Sequence, residues 1–413
     1  MPAAPHASAR IPAARTAGFA LFLLTALNLF NFIDRYILPG VQPLVQHEFG
    51  VNDAKMGLLT SAFFFTYMLA APLTGWLGDR FQRKPLIIGS TLLWSIATLY
   101  TAKVHSYETL LLRHALVGIG EATFSIFAPS LLADFYPETA RNRVLSIFYL
   151  TIPIGGALGY LTGGVVGQHY GWRAPFFVAA LPGLLIALAF CFLKEPKRGS
   201  ADRLQATETR ATLHGLLRNP AFWFATLGLA AWTFAVGGIS TFLPTFFQRF
   251  AGMSVAQAGT AAGGLTVVDG LIGTAVGGWL AQRWMRRNDR ALYLVSGWGS
   301  LLAIPFVALV LFGPLKLLMP AAFAAEFFLF LGNGPLNAAI VNSVAAPIRA
   351  TAISLNLFLI HALGDAFSPH LIGLLSDKTN LRVGLSMTQA ALLISGIILF
   401  TGARFAVPLE EEK

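Results

Sequence analysis

The sequence predicts an all-α membrane protein of twelve transmembrane helices arranged as two six-helix halves. Three observations carry that expectation: an apolar composition, twelve apolar segments of spanning length, and motifs that recur one half-chain apart. Hydrophobic residues fill 55% of the 413 positions and charged residues only 12%, with a mean hydropathy of +0.65. Soluble domains carry about 25% charged residues, so an integral membrane protein is expected. The 40 glycines fit helical membrane packing, where a missing side chain lets backbones approach closely.

The apolar segments of the first half fall near 17–46, 53–79, 84–103, 107–134, 140–168 and 172–194. Those of the second half fall near 219–248, 255–283, 291–313, 316–344, 348–376 and 382–407. The expected organisation is a tail at 1–16, a first half at 17–194, a linker at 195–218, a second half at 219–407 and a short tail at 408–413. An even number of spans puts both termini on one side. Most of the 29 Lys and Arg fall in the tails and in the connections on that side, above all the linker and the stretches 80–84 and 283–290. The positive-inside rule then makes it the cytoplasm. A bacterial inner (cell) membrane is the expected location. The net charge of +10 is spread over these short loops, which argues against nucleic-acid binding. Met1 to Gly18 lacks a short apolar core followed by a small-residue cleavage site, and reads as a retained tail. The single cysteine, Cys191, excludes an intrachain disulfide.

The halves repeat each other. Gly75-Trp76-Leu77 precedes Asp79-Arg80 and Arg83-Lys84, and Gly278-Trp279-Leu280 precedes Arg283 and Arg286-Arg287. Glu121 and Glu326, and Ser146 and Ser354, follow the same offset of about 205 residues. A parallel six-helix repeat of this kind is the construction of the major facilitator fold, with its substrate site between the halves.

Ionisable residues inside the spans are costly and mark polar cavities or partners. Asp34 lies ~17 residues into the first span, ~25 Å along a helix, near the centre of a hydrocarbon core about 30 Å thick. Arg35 follows it directly. Neighbours in sequence do not share a helix face, so each should turn to a different partner. Glu121 sits halfway along the fourth span with no Lys or Arg in the following turn. A desolvated carboxylate resists ionisation, so Glu121 is a candidate proton carrier. Glu326, Asp269, Asp365 and His361 are the second-half cavity candidates. His361 and Asp365 share one helix face at i, i+4, and Ser368-Pro369 predicts a kink just beyond. Asp269 is either cavity-lining or paired with a basic group. Asp79, Arg80 and Arg83 are candidate gating residues, with Asp79 expected at the N-terminus of a helix starting near Ile348. Gly155, Gly159, Gly163 and Gly167 recur every four residues and predict a packing stripe. No Cys or carboxylate cluster completes a metal site around His361, and no nucleophile–base set suggests an enzyme. The absence of a G-x-x-x-x-G-K-[ST] sequence leaves ATP out of the expected energy sources. No cofactor is expected.

Several longer stretches resemble one family. Asn31-Phe32-Ile33-Asp34-Arg35-Tyr36, Gly78 to Lys84, Gly118 to Pro129, Ser146 to Tyr160, Glu326 to Phe330 and His361 to Pro369 resemble, in order, the motifs of the Spinster family of the major facilitator superfamily. The resemblance implies alternating-access transport of lysolipids or of sphingosine-1-phosphate, with proton coupling in some members. It implies proton-responsive roles for Asp34 and Glu121, and cavity or gating roles for Arg35, Glu326 and His361. The expected partners are an amphiphilic substrate, protons and membrane lipids, for a monomeric protein. Two positions depart from the family pattern. His114 stands where an arginine is usual, and Arg113, one residue earlier, would be aimed elsewhere by ~100°. Asp269 stands where an uncharged residue is expected. The competing readings are an exporter of drugs or small organic acids with the same fold, and a membrane sensor without net transport.

Overall fold

The computed structural model describes residues 14–196, 213–344 and 348–406. Among them are eleven helices long and apolar enough to cross a membrane and one shorter apolar helix. The first half comprises α1 (Ala14–Phe49), α2 (Asp53–Arg80), α3 (Arg83–Tyr100), α4 (Tyr107–Phe135), α5 (Glu138–Tyr149), α6 (Thr151–Tyr170) and α7 (Ala174–Phe190). After the short α8 (Leu213–Leu217) come α9 (Pro220–Ala251), α10 (Val255–Met285), α11 (Ala291–Phe312) and α12 (Leu318–Asn342). The chain ends with α13 (Arg349–Ile360), α14 (Ser368–Lys378) and α15 (Leu381–Gly402).

Local chemistry explains the boundaries. Asn52, Ser106, Asn219, Ser254 and Asn380 accept backbone N–H bonds as N-caps of α2, α4, α9, α10 and α15. Gln257 completes a capping box with Ser254. Gly252 ends α9 at φ +66°, a left-handed conformation that only glycine adopts without strain.

The fifth expected span, 140–168, is two helices, α5 and α6, meeting at Leu150. Pro153 lacks an N–H and cannot bond to the carbonyl one turn earlier. The Thr151 hydroxyl instead donates to the Phe148 carbonyl at 2.6 Å. The bend expected at Ser368-Pro369 begins earlier. A π-helical turn, His361–Asp365, separates α13 from α14, and Gly364 leaves helical geometry at φ −106°, ψ −106°. Pro369 then serves the first turn of α14, where its missing N–H does no harm.

The glycine stripe of α6 packs on α1. A Cβ at Gly159 would stand 2.5 Å from the Ile33 carbonyl oxygen, and one at Gly163 2.7 Å from that of Ile37. Between the halves, α6 meets α10 through Gly164 and Gly259. Close backbone approach of this kind supplies packing energy where lipid offers no hydrophobic drive.

Candidate functional site

Helix α1 delivers Asp34 and Arg35 to two separate stations on α4. The first station is Arg113, whose Nη2 lies 3.5 Å from Asp34 Oδ1. The Thr98 hydroxyl from α3 donates to the other carboxylate oxygen of Asp34. The second station is Glu121, eight residues and about 12 Å further along α4. Arg35 donates to its Oε2 through Nε at 3.2 Å and Nη2 at 2.9 Å. Glu121 is fully buried and its Oε1 has no partner among the described residues, whereas the Arg35 side chain is 17% exposed. Phe32, Phe63 and Tyr67 surround the guanidinium, with ring centroids 4.7–5.5 Å from its carbon. Adjacent residues on α1 therefore do turn to different partners.

Arg113 is not aimed away from the site. Its Nη1 lies 2.8 Å from His114 Nδ1, and its Nε donates to the Ala97 carbonyl at 3.2 Å. A long, multidonor side chain recovers what the one-residue shift in sequence displaced. Arginine has only donors, so His114 Nδ1 accepts and the ring carries its proton on Nε2.

The second half contributes His361, Asp365, Glu326 and Asp269. His361 Nδ1 pairs with Asp365 Oδ1 at 2.8 Å. The same imidazole stacks on Phe64 of α2 at 5.3 Å and meets Tyr67 edge-on at 5.0 Å. It therefore reaches the aromatic box around Arg35 from across the seam. Asp269, in mid-α10, is fully buried, and neither oxygen has a partner among the described residues. Glu326, on α12, borders a narrow space shared with Tyr36, Tyr160 and Phe330.

A cavity of about 510 Å³ lies between the halves, lined by Tyr36, Tyr149, Pro153, Trp232, Thr266, Phe330 and neighbouring residues. Its lining falls on the middle of the helices and on the portions toward the end where α1 begins and α15 ends. At the opposite end the seam is closed. Asp53, at the start of α2, accepts from Arg249 of α9 at 2.6 and 2.7 Å and from Ser376 of α14 at 2.6 Å. Asp377 accepts the backbone N–H groups of Asp53 and Ala54, at 2.9 and 3.0 Å. Gln168 accepts from the Ala256 backbone, and a Cβ at Gly57 would stand 2.1 Å from the Pro369 carbonyl oxygen. Asp53 did not stand out in sequence, because an acid at a helix start reads as an ordinary first-turn residue.

Of the three gating candidates, the Asp79 side chain lies outside the described residues. Arg80 stacks over Trp76 at 4.1 Å. Arg83 binds Asp134 and the Ser130 carbonyl of the first half and Glu195 at the start of the linker, and none of these lies in the second half.

The profile described as Major Facilitator Superfamily matches residues 24–369. Protein spinster homolog 1 of Homo sapiens is 35% identical over 387 residues, covering 86% of this chain and 72% of that protein. The sphingosine-1-phosphate transporter SPNS2 of Xenopus tropicalis is 33% identical over 413 residues, covering 93% of this chain and 80% of that one. A bacterial homologue of the human lysosomal transporter Spinster, crystallised inward-facing and unoccupied, superposes with a TM-score of 0.85 at 25% identity. The match covers 95% of this chain and 98% of that one. The inward-facing, occupied form of a bacterial homologue gives a TM-score of 0.80 at 24% identity, with the same coverage.

Proposed function

Because this multi-pass membrane transporter belongs to the Spinster family of the major facilitator superfamily, we propose that it moves a single-chain amphiphile of the lysolipid or sphingosine-1-phosphate kind by proton-coupled alternating access. The observation that carries the reading is the Arg35–Glu121 pair. A fully buried carboxylate holds an arginine that remains partly open to its surroundings. Protonation of Glu121 removes the charge that restrains Arg35 and frees the guanidinium for an anionic headgroup. Asp34, held by Arg113 and Thr98 on the next face of α1, couples the same helix to α3 and α4. Protonation there loosens a second contact inside the first half. A proton drives the cycle only if it binds one access state better than the other. The positive-inside rule places the beginning of α1 and the end of α15 in the cytoplasm, and the cavity toward that end, with the opposite end closed, then supports reading the present state as inward-facing.

The apolar and aromatic lining of the cavity suits an alkyl chain better than a small organic acid. The test is gradient-driven uptake of labelled lysolipid into proteoliposomes. Glu121→Gln, the neutral isostere, is expected to keep substrate binding and to lose its response to an imposed pH gradient. A gradient response equal to wild type would remove Glu121 from the coupling mechanism.

A further inference from the structure

The two halves differ in how their buried charges are balanced. In the first half, Asp34 faces Arg113 and Glu121 faces Arg35, two charges against two. In the second half, Asp365 is held by His361, but Asp269 is fully buried with both oxygens unpartnered. No basic side chain acts on it among the described residues. The Lys and Arg of the second half lie at helix ends, from Arg249 to Arg404.

The register of α10 against α12 places Glu326 beside it. Gly273 abuts Phe327 and Phe330, and Gly277 abuts Leu331. One turn earlier, Asp269 is level with Glu326, and its charge acts on that carboxylate. Thr266 and Gly270, on the same face of α10, line the cavity between the halves. Tyr36, Val236, Thr266 and Phe330 line both that cavity and a narrow extension of about 40 Å³. Glu326, Ile239 and Leu329 line both the extension and a further apolar slot of similar volume among α9, α11, α12 and α15. Glu326 thus stands where the cavity narrows into an alkyl-sized path, with Asp269 level with it on α10, and no cation acts on either among the described residues. A buried carboxylate is costly as an anion, and either a proton or a cation must neutralise it.

We infer that Asp269 and Glu326 form a cation-recognition subsite, and that the transporter prefers amphiphiles bearing a positively charged nitrogen, including amines with no phosphate. The inference rests on the reading of the chain as an amphiphile transporter and narrows its substrate class. The ammonium group sits between the two carboxylates and the alkyl chain follows the slot past Leu329.

Equilibrium dialysis on the full chain in lipid nanodiscs, with empty nanodiscs subtracted, tests it. Radiolabelled decyltrimethylammonium and decyl sulfate serve as probes of equal chain length. Wild type is expected to bind the cation at least tenfold more tightly. Asp269→Asn should remove most of that preference, and Asp269→Glu should retain it. Asp269→Asn should also raise the melting temperature of the unliganded protein, because it removes an unpaired buried charge; a purely structural aspartate would give a lower one. Equal binding of the two probes by wild type, or an unchanged preference in Asp269→Asn, overturns the proposal. So does abolition of the preference by sodium chloride but not choline chloride, which would assign the subsite to an inorganic cation. Loss of gradient-driven uptake bears on coupling alone and leaves this binding preference standing.

Discussion

Asp53→Ala should open the closed end of the transporter. Asp53 is 5% exposed and accepts three hydrogen bonds across the seam, two from Arg249 and one from Ser376. Hydrogen bonds to charged groups contribute about 1.5–3 kcal/mol each. The Arg249 side chain is 38% exposed, so its share is reduced by screening. The freed groups are also rehydrated once the seam parts. A net loss of about 2–3 kcal/mol from the closed seam is therefore expected, and each 1.4 kcal/mol is a factor of ten. The ratio of closed to open should fall by roughly 30- to 150-fold. Pulsed electron–electron distance measurements can read this directly. Spin labels at Tyr170→Cys and Leu315→Cys, on a Cys191→Ser background, mark the two halves at that end. Wild type should give one short distance population. Asp53→Ala should add a longer one. An unchanged distribution would refute the assignment of this network as the closure of the seam.

Two further substitutions test other contacts. Gly277→Ala would place a Cβ 1.9 Å from the Leu331 carbonyl oxygen, a backbone atom that cannot rotate away. It should destabilise the α10–α12 packing by about 1–3 kcal/mol, the range for overpacking, and lower the melting temperature by several degrees in a fluorescence-monitored thermal scan. Arg83→Ala removes the cation that Asp134 and Glu195 share. It should destabilise the first half by about 2 kcal/mol or more, and the same thermal scan should respond to it while the distance distribution across the seam does not.

Much of the architecture was legible because a bilayer leaves few choices. A backbone in hydrocarbon must satisfy itself, so an apolar run of spanning length is a helix. The α6 stripe is similarly direct, since glycines four apart in such a helix have little use other than close packing. The failures came where a partner was remote in sequence. The break at Leu150 follows from Pro153, yet the stretch 144–160 around it reads as one apolar run. The kink in the eleventh span starts at Gly364, not at Pro369, because Gly364 packs against Ala230 and Thr233 of α9, where a Cβ would come within 3.0 Å of the Ala230 carbonyl oxygen and of Thr233.

The candidate site divides in the same way. Asp34, Arg35, Glu121, Asp269, Glu326, His361 and Asp365 stand out in the sequence by themselves, since each is an ionisable group in an apolar segment. Their type and depth are local properties. Pairing is not local. That Arg113 reaches Asp34 despite its one-residue displacement depends on side-chain length and on the α1–α4 separation. That Asp269 is left without a partner while Arg35 has one depends on where five other helices place their basic residues. The seam closed by Asp53, Arg249, Ser376 and Asp377 brings together residues some 200 to 320 positions apart, and only the packing of one half on the other creates it. Composition and periodicity thus determined that this chain spans a membrane as two related halves with charges in the middle. The tertiary structure alone decided which charges neutralise each other and which end is shut, because both depend on distances between helices that no local pattern encodes.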